Sequence, residues 1–415
     1  MQDRGPSLKH ADPSRPELWA AGAAEPVFER LRREDPVHHC PESAFGPYWS
    51  VTRHRDIIEV EAQPELFSSS FLHGGITLFE DRQSLFPMFI SMDRPDHGPQ
   101  RRTVAPAFAP SEMERLRPAL VERTRALVAA LQVDETFDWV ELVSAELSTQ
   151  MLAILFGFPW EDRRRLAYWA DWAGDSRAAL DPAHARKRLE VLWECAGAFL
   201  RLSKQRQSEP GGADLLSMMS SSEATRDLSP QQFLGNLILL LVGGTDTTKS
   251  AMGALPVVNA RWPSEWGKLI ADPGLVPSAA QELIRWQTPL AHMRRTATAD
   301  CDLAGRRIRA GDKVVLWYFS ANRDEALFDD GERFIADRPN VRRHLGFGFG
   351  IHRCVGARLA GLQLSALIDA LLERGLRPVL TGEPERNPDC FLNGYKKLPV
   401  RLTGDSHCLT RDSHW

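Results

Sequence analysis

The stretch FGFGIHRCVGARLA, Phe347–Ala360, decides the fold. It reads as a glycine-rich turn, a cysteine and the start of a helix. Gly348 and Gly350 let the backbone turn tightly and approach a flat ligand. Cys354 stands at a helix N-terminus, where amide N–H groups and the helix dipole favour a thiolate. Gly356 removes a side chain where a bulky group would collide. A lone cysteine before a helix is usually structural, although a thiolate held this way can also bind iron.

Working outward, a helix runs from just after Cys354 to Arg374 and stops at Gly375. Upstream, KVVLWYFS, Lys313–Ser320, is β-branched and aromatic and follows the turn residues Gly311 and Asp312, which predicts a strand. Val400–Leu402 predicts another. Ser278 and Gln281 read as the capping box of a helix carrying AAQELIRWQ, and Ser111 and Glu114 as that of a helix reaching about Leu131. Ser229-Pro230 opens a helix through NLILLLVGGTDTTKSAM, apolar nearly all round and therefore buried. Pro256 should kink or end it near Met252. The fold class is mainly α with a small β subregion.

The chain has 415 residues, 43% hydrophobic and 26% charged, with 51 basic and 55 acidic side chains, a net −4. That balance gives no case for nucleic-acid binding. No linker or repeat divides it, so one domain over 1–415 is expected, with 1–25 as an N-terminal extension and 403–415 as a disordered tail. The polar, proline-rich N-terminus is no signal peptide, and the strongest apolar run, Leu237–Val242, cannot span a bilayer. Six scattered cysteines (Cys40, Cys195, Cys301, Cys354, Cys390, Cys408) without a CxxC pair suggest reduced thiols and a cytoplasmic location.

Two further patterns stand out. Gly243-Gly244-Thr245-Asp246-Thr247-Thr248 places glycines and an acid inside an apolar helix, at a cost in helix stability and burial. Glu282 and Arg285 are three apart on one helix face.

The loop fits F-x-x-G-x-x-x-C-x-G, and with these patterns the chain resembles the cytochrome P450 family from Pro26 to Leu402. The resemblance implies the P450 fold, a triangular helical prism enclosing haem b. It makes Cys354 the iron ligand, with Phe347, Gly348 and Gly356 against the haem and Gly243 and Gly244 lining the oxygen groove. Thr247 becomes the hydroxyl that holds O2 and a water, and Asp246 the acid that relays protons. Glu282, Arg285 and Arg338 become a buried structural trio. His97, Arg101, Arg295 and His352 become contacts for the haem propionates, with Arg294 as the competing register for Arg295.

LFPMFISMDRPDHGPQRRTVAPAF and IRWQTPLAHMRRTA resemble the bacterial alkane hydroxylase branch, which oxidises terminal methyl groups of medium-chain alkanes and similar chains, although Thr245 stands where that branch often has Asn. Leu290, Ala291 and Met293, with Leu240 and Gly244, are the expected pocket walls. Ile76, Leu78, Phe79, Leu85, Met88 and Phe89 form the expected lid, and Phe391 and Leu392 the far end. Electrons should come from NAD(P)H through separate proteins, a ferredoxin reductase and a 2Fe–2S ferredoxin, since no flavin or iron–sulfur motif lies in the chain. A monomer is expected. The competing readings are hydroxylation of a terpene, steroid or other cyclic substrate, a peroxide-driven enzyme, and a haem-based gas or ligand sensor. The Asp246–Thr247 pair argues against the last two.

Overall fold

The longest apolar run becomes the longest described helix. The computed structural model describes residues 8–79, 86–174, 181–208, 211–212, 214–225 and 228–404. In it Pro230–Arg261 form a central helix of 32 residues. Its capping box is complete: the Ser229 hydroxyl accepts from the Gln232 amide and the Gln232 side chain accepts from the Ser229 amide.

The helix does not end at Pro256. Proline cannot donate to the Met252 carbonyl one turn back. That carbonyl accepts instead from the Trp139 indole at 3.1 Å, and the helix continues to Arg261.

Two other helices start earlier than the serines suggested. Pro110–Ala130 begins on Pro110, and Val276–Gln287 carries Pro277 in its first turn; neither has a side-chain cap. Proline's fixed φ suits the first helical positions, so Ser111 and Ser278 fall inside the helices. Ala357–Glu373 follows the cysteine loop and ends before Gly375, whose φ is +58°. It packs against Pro110–Ala130 and Val276–Gln287, while Glu146–Phe156 and Arg164–Gly174 pack against the central helix.

The strand expected over Lys313–Ser320 stops at Leu316, and Tyr318–Ala321 form a helical turn. Its partners run out there: Leu316 pairs with Val51, the last residue of Tyr48–Val51, and with Met293, the first of Met293–Ala297. These three strands are the centre of a five-stranded sheet edged by Val37–Cys40 and Phe67–Ser68. The last strand, Pro399–Gly404, lies between Thr136–Asp138 and Leu376–Leu380. Thr403 and Gly404, expected in the tail, therefore belong to a sheet, and 405–415 lie outside the described residues. Within the expected N-terminal extension, Trp19 is buried, stacked 6.0 Å from Trp317. Among the described residues no helix is long and apolar enough to cross a membrane.

Candidate active site

Behind the cysteine loop lies a fully buried charge cluster. Glu282 accepts from Arg285 Nε at 2.7 Å and from Arg338 Nε at 2.9 Å. Arg285 Nη2 completes a two-pronged pair with Glu282 at 2.7 Å, and further guanidinium donors go to backbone carbonyls: Arg285 to those of Asn322 and Gly331 at 2.6 and 2.7 Å, Arg338 to that of Asp329 at 2.6 Å. A buried ion pair gains stability only when its spare donors and acceptors are satisfied, which this one achieves. The cluster reaches the loop through Asn322, whose side chain accepts from the Leu345 amide at 2.6 Å.

From there the loop folds as its glycines demand. Gly348 and Gly350 both have φ +65°, and a Cβ on Gly350 would collide with the Glu61 carbonyl oxygen. The Cys354 amide donates to the Phe347 carbonyl at 2.8 Å, closing the turn. Cys354 lies deep in the protein yet its side chain is exposed, so it faces an internal cleft. Burial pushes its thiol up, while the Gly356 amide, Arg101 and Arg353 pull it down. A Cβ on Gly356 would meet protein only at ordinary contact distances, 3.8 Å from Phe108 and 3.9 Å from Cys354 Sγ. The expected collision there is therefore not with the protein itself.

His97, Arg101, Arg295 and His352 come together beside the loop. The His97 and His352 rings are 4.3 Å apart, and Arg101 donates to the Arg353 carbonyl. Among the described residues, His97 Nε2 and both ring nitrogens of His352 are buried without a hydrogen-bond partner. Burial lowers His97 to about 4 and His352 to about 2, the latter also pressed by Arg295, His97 and Arg101. Arg295 pairs with Glu61 at 3.0 Å; Arg294 turns away and donates to the His73 and Gly74 carbonyls at 3.0 and 3.2 Å, which decides the register. Sequence reasoning missed Glu61, which also accepts from Tyr318 at 2.7 Å and from the Phe349 amide at 2.9 Å. Nothing local distinguishes it from a surface glutamate.

On the central helix, Thr247 donates its hydroxyl proton to the Gly243 carbonyl at 2.7 Å. Its oxygen lone pairs are left to accept. Gly243 is open, with nothing within 4 Å of an added Cβ. Gly244 is not part of that opening: its missing side chain admits Leu152 of Glu146–Phe156, and Leu240, one turn back, is buried in the same core. The open stripe is Leu239, Val242, Gly243 and Thr247, at helical spacing. Asp246 is buried beneath it, raised by burial and lowered by Lys249. Lys249 Nζ lies 2.9 Å from Asp246 and 2.8 Å from Asp171, whose side chain is 61% exposed. Gly174, at the end of the helix carrying Asp171, lies so close that a Cβ would be 2.9 Å from Asp246 Oδ2. Lys249 was missed, although its place three residues after Asp246 is an i,i+3 signal.

The expected pocket residues divide. Ile76, Met88, Leu290, Phe391 and Leu392 are partly open and Phe79 is exposed, whereas Leu78, Phe89, Leu240, Ala291 and Met293 are buried core. The Leu290–Leu392 bridge and the Ala291 amide bond to the Phe391 carbonyl, 2.9 Å, join the two chain segments. Leu85 lies outside the described residues.

A planar porphyrin with two carboxylates and a central iron fits these residues. Cys354 supplies a thiolate, the unpartnered histidine nitrogens and Arg101 supply donors, and the open face of Gly243 lets a ring approach.

The comparisons agree. The family model described as cytochrome P450 matches residues 272–389. The solved cytochrome P450-153 of Novosphingobium aromaticivorans is 48% identical, covering 94% of this chain and 99% of its own, with a TM-score of 0.90. Linalool 8-monooxygenase of Pseudomonas putida is 36% identical over 95% of this chain and 99% of its own. A methyl-branched lipid omega-hydroxylase of Mycobacterium tuberculosis is 32% identical over 92% of each. The chain belongs to the cytochrome P450 family, as a monooxygenase that carries haem b and uses O2 with electrons drawn from NAD(P)H through partner proteins.

Proposed function

We propose that this enzyme hydroxylates the terminal methyl of medium-chain alkanes, fatty acids or similar apolar chains. The observation that carries the reading is the lining of the cleft. Leu239 and Val242 share the open stripe with Gly243 and Thr247, Leu392 meets Gly174 beside Val242, and Leu290 and Phe391 are joined to the Leu392 segment, so the side chains gathered there are apolar. The omega-hydroxylase and linalool 8-monooxygenase relatives support a chain-like substrate; the second of these also favours a branched, terpenoid chain as an alternative.

Haem, when bound, supplies the activation of O2. The chain's own residues do the rest. Cys354 would ligate the iron of the haem, and His97, Arg101, Arg295 and His352 would hold its propionates. The Thr247 hydroxyl, its proton engaged by the Gly243 carbonyl, is left to accept a hydrogen bond from a water at the open face of Gly243. Asp246 exchanges protons with solvent along the Lys249–Asp171 link. A primary C–H bond is stronger than its secondary neighbour, so terminal oxidation requires the slot to present the chain end-on. Misplacement by ~1 Å can cost about a hundredfold in rate.

Exposed Arg102, Arg342, Arg343 and Arg353 around the cysteine loop form the docking face for an acidic 2Fe–2S ferredoxin, itself reduced by a ferredoxin reductase. The enzyme works as a cytoplasmic monomer with the whole chain as one catalytic unit. Incubating the reconstituted enzyme with octane and dodecanoic acid, and separating the alcohol isomers, tests the reading. Primary alcohol should dominate; mainly secondary alcohols, or turnover of cyclic substrates alone, would overturn it.

A further inference from the structure

The central helix carries a second buried polar residue that proton transfer does not use. Asn236 is 1% exposed and accepts from the Phe89 amide at 2.8 Å. Its own amide donates to Gln100 Oε1 at 2.7 Å, and the Gln100 amide donates to Met92 Sδ at 3.3 Å. The preceding residue makes this approach possible: a Cβ on Gly235 would collide with the Phe86 and Pro87 carbonyl oxygens. One glycine and two amides thus press the loop Phe86–Met92 onto the central helix. Gln100 belongs to His97–Val104, the short helix that also presents His97 and Arg101. Both amides are buried with specific partners, so the loop's position is determined by hydrogen-bond geometry as well as by packing.

Asn236 occupies a telling place on its helix. Residues 236, 239 and 243 share one face, on which Leu239 and Gly243 are open and Asn236 is sealed, so the open stripe ends at Asn236 toward the helix N-terminus. It stands about 10 Å along the axis from Gly243. That span is of the order of an extended medium-length alkyl chain.

We propose that the Asn236–Gln100 clamp is the end wall of the substrate slot, and that Asn236 is the positioning residue that sets the preferred chain length and holds the reacting end over the oxygen site. The proposal rests on the chain-like substrate argued above. With the loop held down, a chain of matching length is stopped at Asn236 and its far methyl is held at Gly243 and Thr247. A loosened loop lets the chain slide outward or fold back, so longer chains enter and interior carbons reach the oxygen.

The test compares the wild type with Asn236→Leu, which keeps the volume and removes both bonds, and with Asn236→Asp, which keeps the acceptor for Phe89 while a rotated Gln100 amide donates to it. Spectral dissociation constants are measured for n-alkanes and fatty acids of graded length, with the ratio of primary to secondary alcohol. Asn236→Leu should move the affinity optimum toward longer chains and lower the product ratio several-fold, with the reduced CO spectrum unchanged; Asn236→Asp should restore much of both. An unchanged length profile and product ratio in Asn236→Leu would overturn the proposal. Should that variant not take up haem, Gln100→Leu carries the same comparison, and rapid hydrogen exchange of the wild-type Phe89 amide would be equally fatal. A wild type that oxidises interior carbons would sink the terminal assignment alone, since a change on releasing the clamp is read relative to the wild type.

Discussion

The two faces of the haem site use charge in opposite ways. Beneath the cleft, Glu282, Arg285 and Arg338 are sealed from water and spend their spare donors on backbone carbonyls. Above it, Asp246 is buried, but its partner Lys249 reaches on to Asp171, which is largely in solvent. The lower network fixes a shape, because each broken bond strands a charge in the interior. The upper network joins a buried acid to water across a contact between two helices. A site that must hold one ligand still while moving protons needs both designs, and the difference can be tested from either side.

The largest effect should come from the lower face. Cys354→Ser should abolish the red-shifted Soret band of the reduced CO complex and reduce hydroxylation to background; retention of that band would show that another residue binds iron. Glu282→Ala leaves two buried guanidiniums without their carboxylate and should cost about 3–5 kcal/mol of stability. A denaturant midpoint close to wild type would mean that the cluster does not hold the loop.

Changes above the cleft should spare folding and alter turnover. Asp246→Asn removes the acid and should slow product formation by about a hundredfold. Thr247→Ala should keep substrate binding and divert reducing equivalents to peroxide, read as product formed per NAD(P)H consumed. Lys249→Met is subtler. Lys249 lowers the Asp246 pKa against the upward push of burial, so its loss raises that pKa further. A donor with a higher pKa stays protonated to higher pH, and the alkaline fall-off of coupled turnover should move upward. A downward or absent shift in the pH profile would detach Lys249 from the acid.

The smallest effect belongs to the surface. Arg353→Glu should slow electron transfer from an acidic ferredoxin roughly tenfold at low ionic strength and much less in high salt. Kinetics indifferent to both salt and charge reversal would move the docking face elsewhere.

What the sequence made legible follows the same division. The cysteine loop, the buried trio and the Asp246–Thr247 pair could be read because their spacing is local and their residue types are unusual. Their partners could not. Glu61 is an ordinary glutamate until folding brings it to Arg295, and Asn236 an ordinary asparagine until Phe89 and Gln100 meet it. The register of the central helix was also hidden. Leu240 and Gly244 suit a pocket by type, yet they face the Leu152 side, and the open stripe is one residue away at Leu239 and Gly243. In an all-round apolar helix, composition does not say which face is empty.

Pro256 shows what such hidden partners mean for recombining this protein with its relatives. Its tolerance resides in Trp139, on a segment far away in sequence, whose indole serves the carbonyl that the proline leaves without a donor. The two positions form one inheritable unit. A chimera that imports the central helix without residue 139, or replaces that tryptophan with phenylalanine while keeping the proline, leaves the buried Met252 carbonyl without its donor toward the C-terminal end of the oxygen-activating helix. Crossover points for shuffling should therefore be chosen so that both residues come from the same parent.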